Sequence, residues 1–409
     1  MSSAARPRPR PGRFRVGRFE VNLRDRNTLV YVLLGVGALL FPQMVLFAAP
    51  DEAGSLVALA ADAGVYVLLA LGLNVVVGFA GLLDLGYAAF FAIGAYTYAL
   101  FASNALLHTP LHHAVHLPFW ILLVVGVAIA ATAGALLGAP TLRLRGDYLA
   151  IVTLGFGEIV PRVFRNAGDW TGGINGLSAL DNPIIPAWVT GPWAGDPFSW
   201  VRDMQLSVAN PTAYYILMVI LIGISVVLLN NLRKSRLGRA WVAIREDEVA
   251  AQAMGINTVT TKLLAFAMGA ATSGFAGVFY GAKLSLVSPE NFQFTVSITI
   301  LVMIVLGGMG NMPGVIVGSL TTYLILFKIL PDAPNQVHGL LASLNLTAID
   351  QPHGDWPGLG EMVSRLKLLF FGLILVLTML LRPVGLIPGQ AEVDHVEARK
   401  EEAALEGVT

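Results

Sequence analysis

Four histidines lie within one short stretch of the chain, close enough together to suggest a metal site. They are His108, His112, His113 and His116. A spacing of four residues places two imidazoles on one face of a helix, where they could bind zinc. However, Pro110 and Pro118 interrupt the stretch, and it contains no carboxylate. The pattern favours a solvated loop over a metalloenzyme centre.

Glu158 is the residue that could carry a proton across a membrane, because it falls inside the apolar run DYLAIVTLGFGEIVPR. A charge at the centre of a membrane helix costs about 2.5–3.5 kcal/mol, so Glu158 should face a cavity or lie near the interface. It is a candidate residue of a translocation path. Arg162 follows one helical turn later, and an ion pair between the two is the interpretation that the sequence favours.

Asp84 precedes another apolar run, and its position is typical of a helix N-cap. A carboxylate there accepts hydrogen bonds from the first free N–H groups of the helix and complements the helix dipole. We therefore predict a capping role for Asp84.

The sequence motifs of several enzyme classes are absent. The chain has no cysteine, which excludes thiol catalysis and disulfides. No GxxxxGK[ST] phosphate loop is present, and neither are the HExxH and GxSxG motifs. The chain is therefore not expected to be an enzyme, and it does not hydrolyse ATP through a phosphate loop of its own.

The composition predicts an all-α, polytopic integral membrane protein. Of the 409 residues, 56% are hydrophobic and 13% are charged, whereas a soluble domain has about 25% charged residues. About 20 apolar residues cross a bilayer. Ten runs fit that length, near 28–49, 56–78, 85–103, 118–139, 148–164, 211–230, 259–282, 294–307, 314–330 and 366–382.

Basic residues predict that both termini are cytoplasmic. The arm 1–27 holds eight arginines, and more follow in the loops and tail assigned to the same side. The transmembrane region is then 28–386, and 387–409 is a charged cytoplasmic tail. The segments 166–210 and 331–364 are external loops, and the second is expected to be irregular because it contains four prolines.

One polar segment, 231–257, interrupts the apolar runs with a dense basic cluster. Trp241 to Met254 contains no Gly or Pro and is predicted to be one helix that Gly255 ends. Its apolar stripe comprises Val242, Val249, Ala253 and Ile256. A short cytoplasmic helix of this kind suits either docking onto a soluble partner or simple exposure to solvent, and spacing alone leaves both open.

Glycines predict a second interruption and close helix packing. From Thr295 to Leu330 the chain is apolar throughout, but as one helix it would span roughly 54 Å. The sequence GGMGNMPG breaks it, and irregular backbone at membrane depth must face protein or water. The candidate path residues there are Gly307, Gly308, Gly310 and Gly314. Elsewhere, Gly269, Gly274, Gly277 and Gly281 are predicted to bring helices close together.

Several blocks together resemble the permease subunit of branched-chain amino acid ABC importers, the LivM type. The longest is LGLNVVVGFAGLLDLGYAAFFAIGAYTYAL at Leu71–Leu100. The others occur in the family's order at Leu142–Val160, Thr171–Ser178, Gly238–Asn257, Ile300–Gly318 and Leu380–Leu386.

The resemblance implies that 238–257 is the coupling segment, which fits a groove in an ABC ATPase. EVAAQAMG keeps the family's E-x-A-A-x-x-x-G skeleton, although the IxLP ending is missing. The implied coupling residues are Gly238, Arg239, Trp241, Arg245, Glu248, Ala250, Ala251 and Gly255.

The resemblance also implies partners and a location. The partners are a second permease subunit of the LivH type, two ATPase subunits that use ATP, a periplasmic binding protein and membrane lipid, but no nucleic acid. The chain itself binds no cofactor and lies in the bacterial inner membrane. The substrates are leucine, isoleucine and valine. Other amino acids, urea or short amides are alternatives, as is a proton-coupled secondary transporter that uses Glu158.

Overall fold

The structure is a computed structural model. It describes residues 13–16, 19–22, 26–110, 112, 115–141, 147–178, 180–183, 210–284, 286–343 and 359–366, with isolated positions between 369 and 387.

Helices make up most of the described residues, and two antiparallel strand pairs accompany them. The pairs are β1 (Arg13–Val16) with β2 (Phe19–Asn22) and β3 (Leu177–Ser178) with β4 (Leu286–Val287). The helices are α1 (Arg26–Ala48), α2 (Ala53–Asn74), α3 (Tyr87–Phe101), α4 (Phe119–Thr141), α5 (Asp147–Asn166), α6 (Pro211–Lys234), α7 (Arg236–Glu246), α8 (Glu248–Ala253), α9 (Thr258–Leu284), α10 (Phe294–Gly307), α11 (Met312–Leu324), α12 (Leu330–Ser343) and α13 (Leu359–Arg365). One π-helical turn, Val75–Phe79, extends α2, and another, Ile325–Ile329, joins α11 to α12.

Seven helical stretches among the described residues are long and apolar enough to cross a membrane. They are Val30–Ala48, Pro50–Phe79, Phe119–Thr141, Pro211–Lys234, Thr258–Leu284, Pro289–Gly307 and Met312–Ser343. The prediction of an all-α polytopic membrane protein is confirmed. The number ten stays a prediction, because the last span, 366–382, lies mostly outside the described residues.

Helix α9 lies at the centre of the bundle, where it packs against α2, α3 and α4. Glycines allow this close packing. A Cβ on Gly274 would meet the methyl group of Ala130 and lie 2.9 Å from Gly126 O, so a larger residue there would force α4 and α9 apart. The hydrophobic effect does not drive helices together within lipid, so their association depends on close packing between backbones. The glycine-packing prediction is confirmed at this position.

The segment 331–364 was expected to be irregular, and for its described part this is wrong. Helix α12 runs through Pro331 and Pro334, and α13 covers Leu359–Arg365. Pro331 follows closely after the π turn Ile325–Ile329, where the regular hydrogen-bond ladder is already interrupted, and Pro334 lies three residues further along α12. Residues 344–358 lie outside the described residues.

Helices α7 and α8 mark one end of the bundle, called here the α7 end. Helix α7 contacts the end of α6, helix α9 and the π turn that ends α2. The turn between α10 and α11 also lies there, because Gly310 is close to Arg245 of α7. The GGMGNMPG break therefore lies at the α7 end, whereas the sequence placed it at membrane depth. The reason is that α10 and α11 are separate helices that form a hairpin.

Candidate functional site

The segment 238–257 folds as two helices, so the prediction of one helix over Trp241–Met254 is wrong. Asp247 has an extended backbone and separates α7 from α8. Its Oδ1 accepts hydrogen bonds from Val249 N at 2.8 Å and Ala250 N at 3.0 Å. An aspartate that bonds to nearby backbone N–H groups competes with the helix and favours a new N-cap.

Gly255 ends α8, as predicted. Its backbone is left-handed, with φ of +85°, which glycine adopts at no steric cost. Ile256 N then donates to Ala251 O at 3.1 Å, the bond that closes a Schellman turn. This turn leads the chain directly into α9.

The buried face of α7 and α8 is formed by Gly238, Trp241, Ile244 and Ala251. Trp241 is fully buried and donates from Nε1 to Thr261 O of α9 at 2.7 Å. A side chain on Gly238 would overlap the carbonyl group of Arg233. These residues fix α7 against the bundle.

Two residues of the predicted apolar stripe face away from the bundle, because Val242 is exposed and Val249 is 71% exposed. Burial of the large Trp241 ring turns the opposite face outward. That outer face also carries Arg239, Ala250 and Met254, and Met254 is 84% exposed. It therefore presents apolar side chains and a positive charge away from the bundle.

Glu248 joins α8 to α9 through an ion pair. Its Oε1 lies 2.6 Å from Lys262 Nζ, and the Lys262 side chain is only 8% exposed. A partly buried pair is screened less by salt than a surface pair. The Glu248 side chain therefore holds the inner face of α8 in place.

Arg245 connects α7 to the end of α2. Its Nη1 donates to Gly78 O at 2.6 Å. Gly81 has φ of +68°, and a Cβ there would lie 2.8 Å from Arg245 Cγ. Position 81 requires glycine because its backbone is left-handed and because the Arg245 side chain passes directly beside it.

The turn between α10 and α11 also contacts α2 and Arg245. Asn74 of α2 accepts a hydrogen bond from Gly310 N at 2.8 Å, and a Cβ on Gly310 would lie 3.2 Å from Arg245 Nη1. Gly307 and Gly314 face each other across the hairpin, since a Cβ on Gly307 would lie 2.8 Å from the Gly314 carbonyl carbon.

The segment around Leu386 closes this cluster. Leu386 N donates to Leu306 O at 2.8 Å, beside Gly307 and Gly308. The structure therefore brings Arg245 and the predicted glycine break together in one cluster at the α7 end. Sequence reasoning missed Asn74, and it did not predict the contact of Gly78 with Arg245. An asparagine inside the apolar run of α2 was the available signal.

Glu158 lies apart from this cluster, on α5. Its Oε2 is 3.3 Å from Arg162 Nη2, and the side chains of Glu158 and Arg162 are 43% and 73% exposed. The pairing that the sequence favoured is confirmed.

Helices α3, α4 and α5 enclose an apolar cleft of about 540 Å³ that does not include Glu158. Its lining is Asp84, Phe90, Leu137, Pro140, Thr141, Val152, Thr153, Gly155, Phe156, Ile159 and Phe266.

Asp84 is the acidic residue in that lining. It is 2% exposed and accepts a hydrogen bond from Gly86 N at 2.9 Å. The bond closes the turn before α3, whose N-cap is Gly86, so the predicted capping of the helix itself is wrong. Burial raises the pKa of this carboxyl to about 7, and the Gly86 hydrogen bond opposes the shift in part.

The histidine segment forms no metal site among the residues that the structure describes. His116 Nδ1 lies 2.5 Å from Asp181 Oδ2, and Nε2 lies 3.1 Å from Asn104 Oδ1. These contacts tie two loops together at the end opposite α7. His113 lies outside the described residues.

Comparison with known proteins identifies the family. Residues 55–379 match the family described as the permease component of branched-chain amino acid transport systems. The chain belongs to this family. It is therefore a multi-pass membrane transport component, and the family is not one of enzymes.

The relatives include permease proteins named LivM and LivH. The chain is 39% identical over 331 residues to the high-affinity branched-chain amino acid transport system permease protein LivM of Escherichia coli K12, covering 79% of this chain and 68% of the relative. It is 26% identical to the probable LivM of Methanocaldococcus jannaschii, covering 80% and 91%. It is 25% identical to LivH of Escherichia coli K12, covering 62% and 78%. No solved structure matches the chain.

Proposed function

We propose that this chain is one of two permease subunits of an ATP-driven importer of leucine, isoleucine and valine. Its relatives are permeases of branched-chain amino acid transport systems. The second subunit is of the LivH type, since the chain is similar to proteins of that name as well.

Helices α7 and α8 are the docking surface for a separate ATPase subunit. The observation that carries this proposal is their two-sided construction. Trp241 anchors one face to α9, while the other exposes Val249 and Met254. The chain has no phosphate loop, so ATP is hydrolysed by the partner.

Arg245 transmits the movement of the ATPase into the bundle. It contacts the end of α2, and Asn74 of α2 contacts the turn between α10 and α11. A displacement of α7 therefore acts on three transmembrane helices at once. Two alternating states can couple to ATP only if the ATPase binds them with different affinity.

The orientation of the spans follows from the positive-inside rule. We propose ten spans with both termini cytoplasmic in a bacterial inner membrane. A periplasmic binding protein delivers the substrate. Alternating access then takes place between the two permeases. The turn that closes the translocation path at the α7 end is formed by Gly307, Gly308, Gly310 and Gly314. Glu158 is a candidate residue of the wall of that path.

A different solute is the first alternative, and a screen of ligands against the binding protein distinguishes it. A proton-coupled secondary transporter is the second alternative. It predicts uptake by the purified chain alone, without ATP, and loss of that uptake in Glu158→Gln.

The docking proposal is tested by Val249→Asp. Charge on the exposed apolar face should abolish co-purification of the ATPase subunits, because a buried unpaired charge is strongly unfavourable at an interface. The matched control is Thr260→Asp, another exposed position at the α7 end, which should leave co-purification unchanged. Full ATPase recovery with Val249→Asp would refute docking at this face.

A further inference from the structure

A charged pair lies within the bundle, toward the end opposite α7. Asp62 of α2 and Lys283 of α9 approach to 2.5 Å, with side-chain exposures of 30% and 10%. Asp62 lies 12 residues after Pro50, or roughly 18 Å along the helical stretch Pro50–Phe79. Charged residues at such positions are rare in membrane proteins and commonly mark substrate pathways.

The ion pair satisfies both charges. Lys283 Nζ donates to Ala58 O at 2.8 Å and lies 2.5 Å from Asp62 Oδ1. Removing one partner of a buried ion pair is strongly unfavourable, because it leaves an uncompensated charge. A group that displaces Lys283 from Asp62 must therefore be a cation, and Lys283 must then find another anion. The ammonium and carboxylate groups of a zwitterion meet both requirements.

Three tyrosines lie near the ion pair. Tyr66 follows Asp62 by one turn of α2, Tyr280 precedes Lys283 by one turn of α9, and Tyr323 of α11 packs against Tyr66. The rings of Tyr66 and Tyr323 lie 5.2 Å apart. Aromatic faces attract ammonium groups and also offer apolar surface. The cluster therefore combines a negative charge, a positive charge and an apolar wall.

The cluster opens to the surface of the subunit. Asp62 and Tyr66 are four residues apart and lie on one partly exposed face of α2. The same surface continues on α11 to Phe327, which is 42% exposed and 5.5 Å from the ring of Tyr66. A second subunit placed against this face would enclose the cluster.

We propose that Asp62, Lys283 and the three tyrosines form a binding site for the zwitterion of an apolar α-amino acid. The ammonium group of the substrate takes the place of the Lys283 ammonium beside Asp62. The carboxylate of the substrate binds Lys283. The side chain packs against Tyr66 and Tyr323. When the substrate leaves, the two residues pair again, so neither charge stays unpaired. This inference rests on the proposed function.

The test uses the complete importer in proteoliposomes with the loaded binding protein. The double variant Asp62→Asn with Lys283→Gln removes both charges and leaves none unpaired. Leucine uptake should fall at least about tenfold, the effect of losing a charged hydrogen bond, while the complex still assembles. A matched control is Lys328→Gln with Asp332→Asn, an exposed pair 2.9 Å apart, which should transport like the wild type.

A second measurement does not depend on any variant. Radiolabelled leucine is bound to the wild-type complex without the binding protein and displaced by 3-methylbutylamine or 4-methylpentanoate. Each analogue keeps one of the two charged groups, so each should compete at least about tenfold more weakly than leucine. Equal competition by either analogue would overturn the site.

The outcomes separate this inference from the proposed function. Wild-type uptake of leucine together with equal uptake by the double-neutral variant refutes the site alone and leaves a merely structural ion pair. Failure of the wild-type importer to take up any branched-chain amino acid refutes the proposed function, and this site with it.

Discussion

At the scale of single residues, Asp84 shows what burial does to a carboxyl group. Its ordinary pKa of 3.8 rises to about 7 because the side chain loses its solvation. Between pH 3.8 and about 7, Asp84 is therefore protonated in the folded state and ionised in the unfolded state. Stability contributed by the protonated form is fully present below pH 3.8 and is lost progressively as the pH rises to 7.

Asp84→Asn should stabilise the protein at pH 8. The amide oxygen still accepts from Gly86 N, but no charge is buried, so the gain is on the order of 4 kcal/mol. The measurement is the apparent melting temperature in detergent between pH 4 and 8. The difference from the wild type should shrink as the pH falls toward 4. Asp51→Asn, at an exposed position, is the control and should show no such trend. A pH-independent difference would argue against the ionisation of Asp84 as its cause.

At the scale of elements, the proposed coupling depends on the contact of α7 with α2 and the α10–α11 turn. Arg245→Ala should uncouple the importer while leaving docking intact, because Arg245 Nη1 bonds to Gly78 O and the docking face lies on the other side of α7. A charged hydrogen bond contributes about 1.5–3 kcal/mol, so transport per ATP hydrolysed should fall at least about tenfold.

The measurement for Arg245→Ala is the ratio of leucine uptake to ATP hydrolysis in proteoliposomes. Arg236→Ala is a suitable control, because Arg236 is exposed in the first turn of α7, nine residues before Arg245. An unchanged ratio in Arg245→Ala would show that coupling runs through other contacts. Loss of the ATPase subunit from the complex would show instead that Arg245 belongs to the docking surface.

The sequence allowed the apolar helices to be predicted, because the length of an apolar run reports directly on membrane crossing. It did not predict the break at Asp247, since Asp within an Ala- and Glu-rich segment fits either a helix interior or an N-cap. Helix α12 was missed because its prolines follow a π turn that leaves no simple sequence signal. The contact of Arg245 with Gly78 joins residues 167 positions apart, and one sequence carries no record of such pairs.

At the scale of the whole molecule, every proposal depends on which side of the membrane the α7 end faces. The chain contains no cysteine, so a single introduced thiol reports its own side without background. Met254→Cys, at an 84% exposed position of the docking surface, and Ile174→Cys, at a 68% exposed position beyond α5, lie at opposite ends of the bundle.

A membrane-impermeant maleimide should therefore label Ile174→Cys in right-side-out vesicles and Met254→Cys in inverted vesicles only. The physical reason is the positive-inside rule, which places the basic cluster around Arg236 and Arg239 in the cytoplasm. Both variants retain uptake in the control measurement if the thiols leave the fold unchanged. Labelling of Met254→Cys from outside would place α7 and α8 where no ATP is available. The docking surface, the Arg245 linkage and the direction of transport through the Asp62–Lys283 site would then all have to be abandoned together.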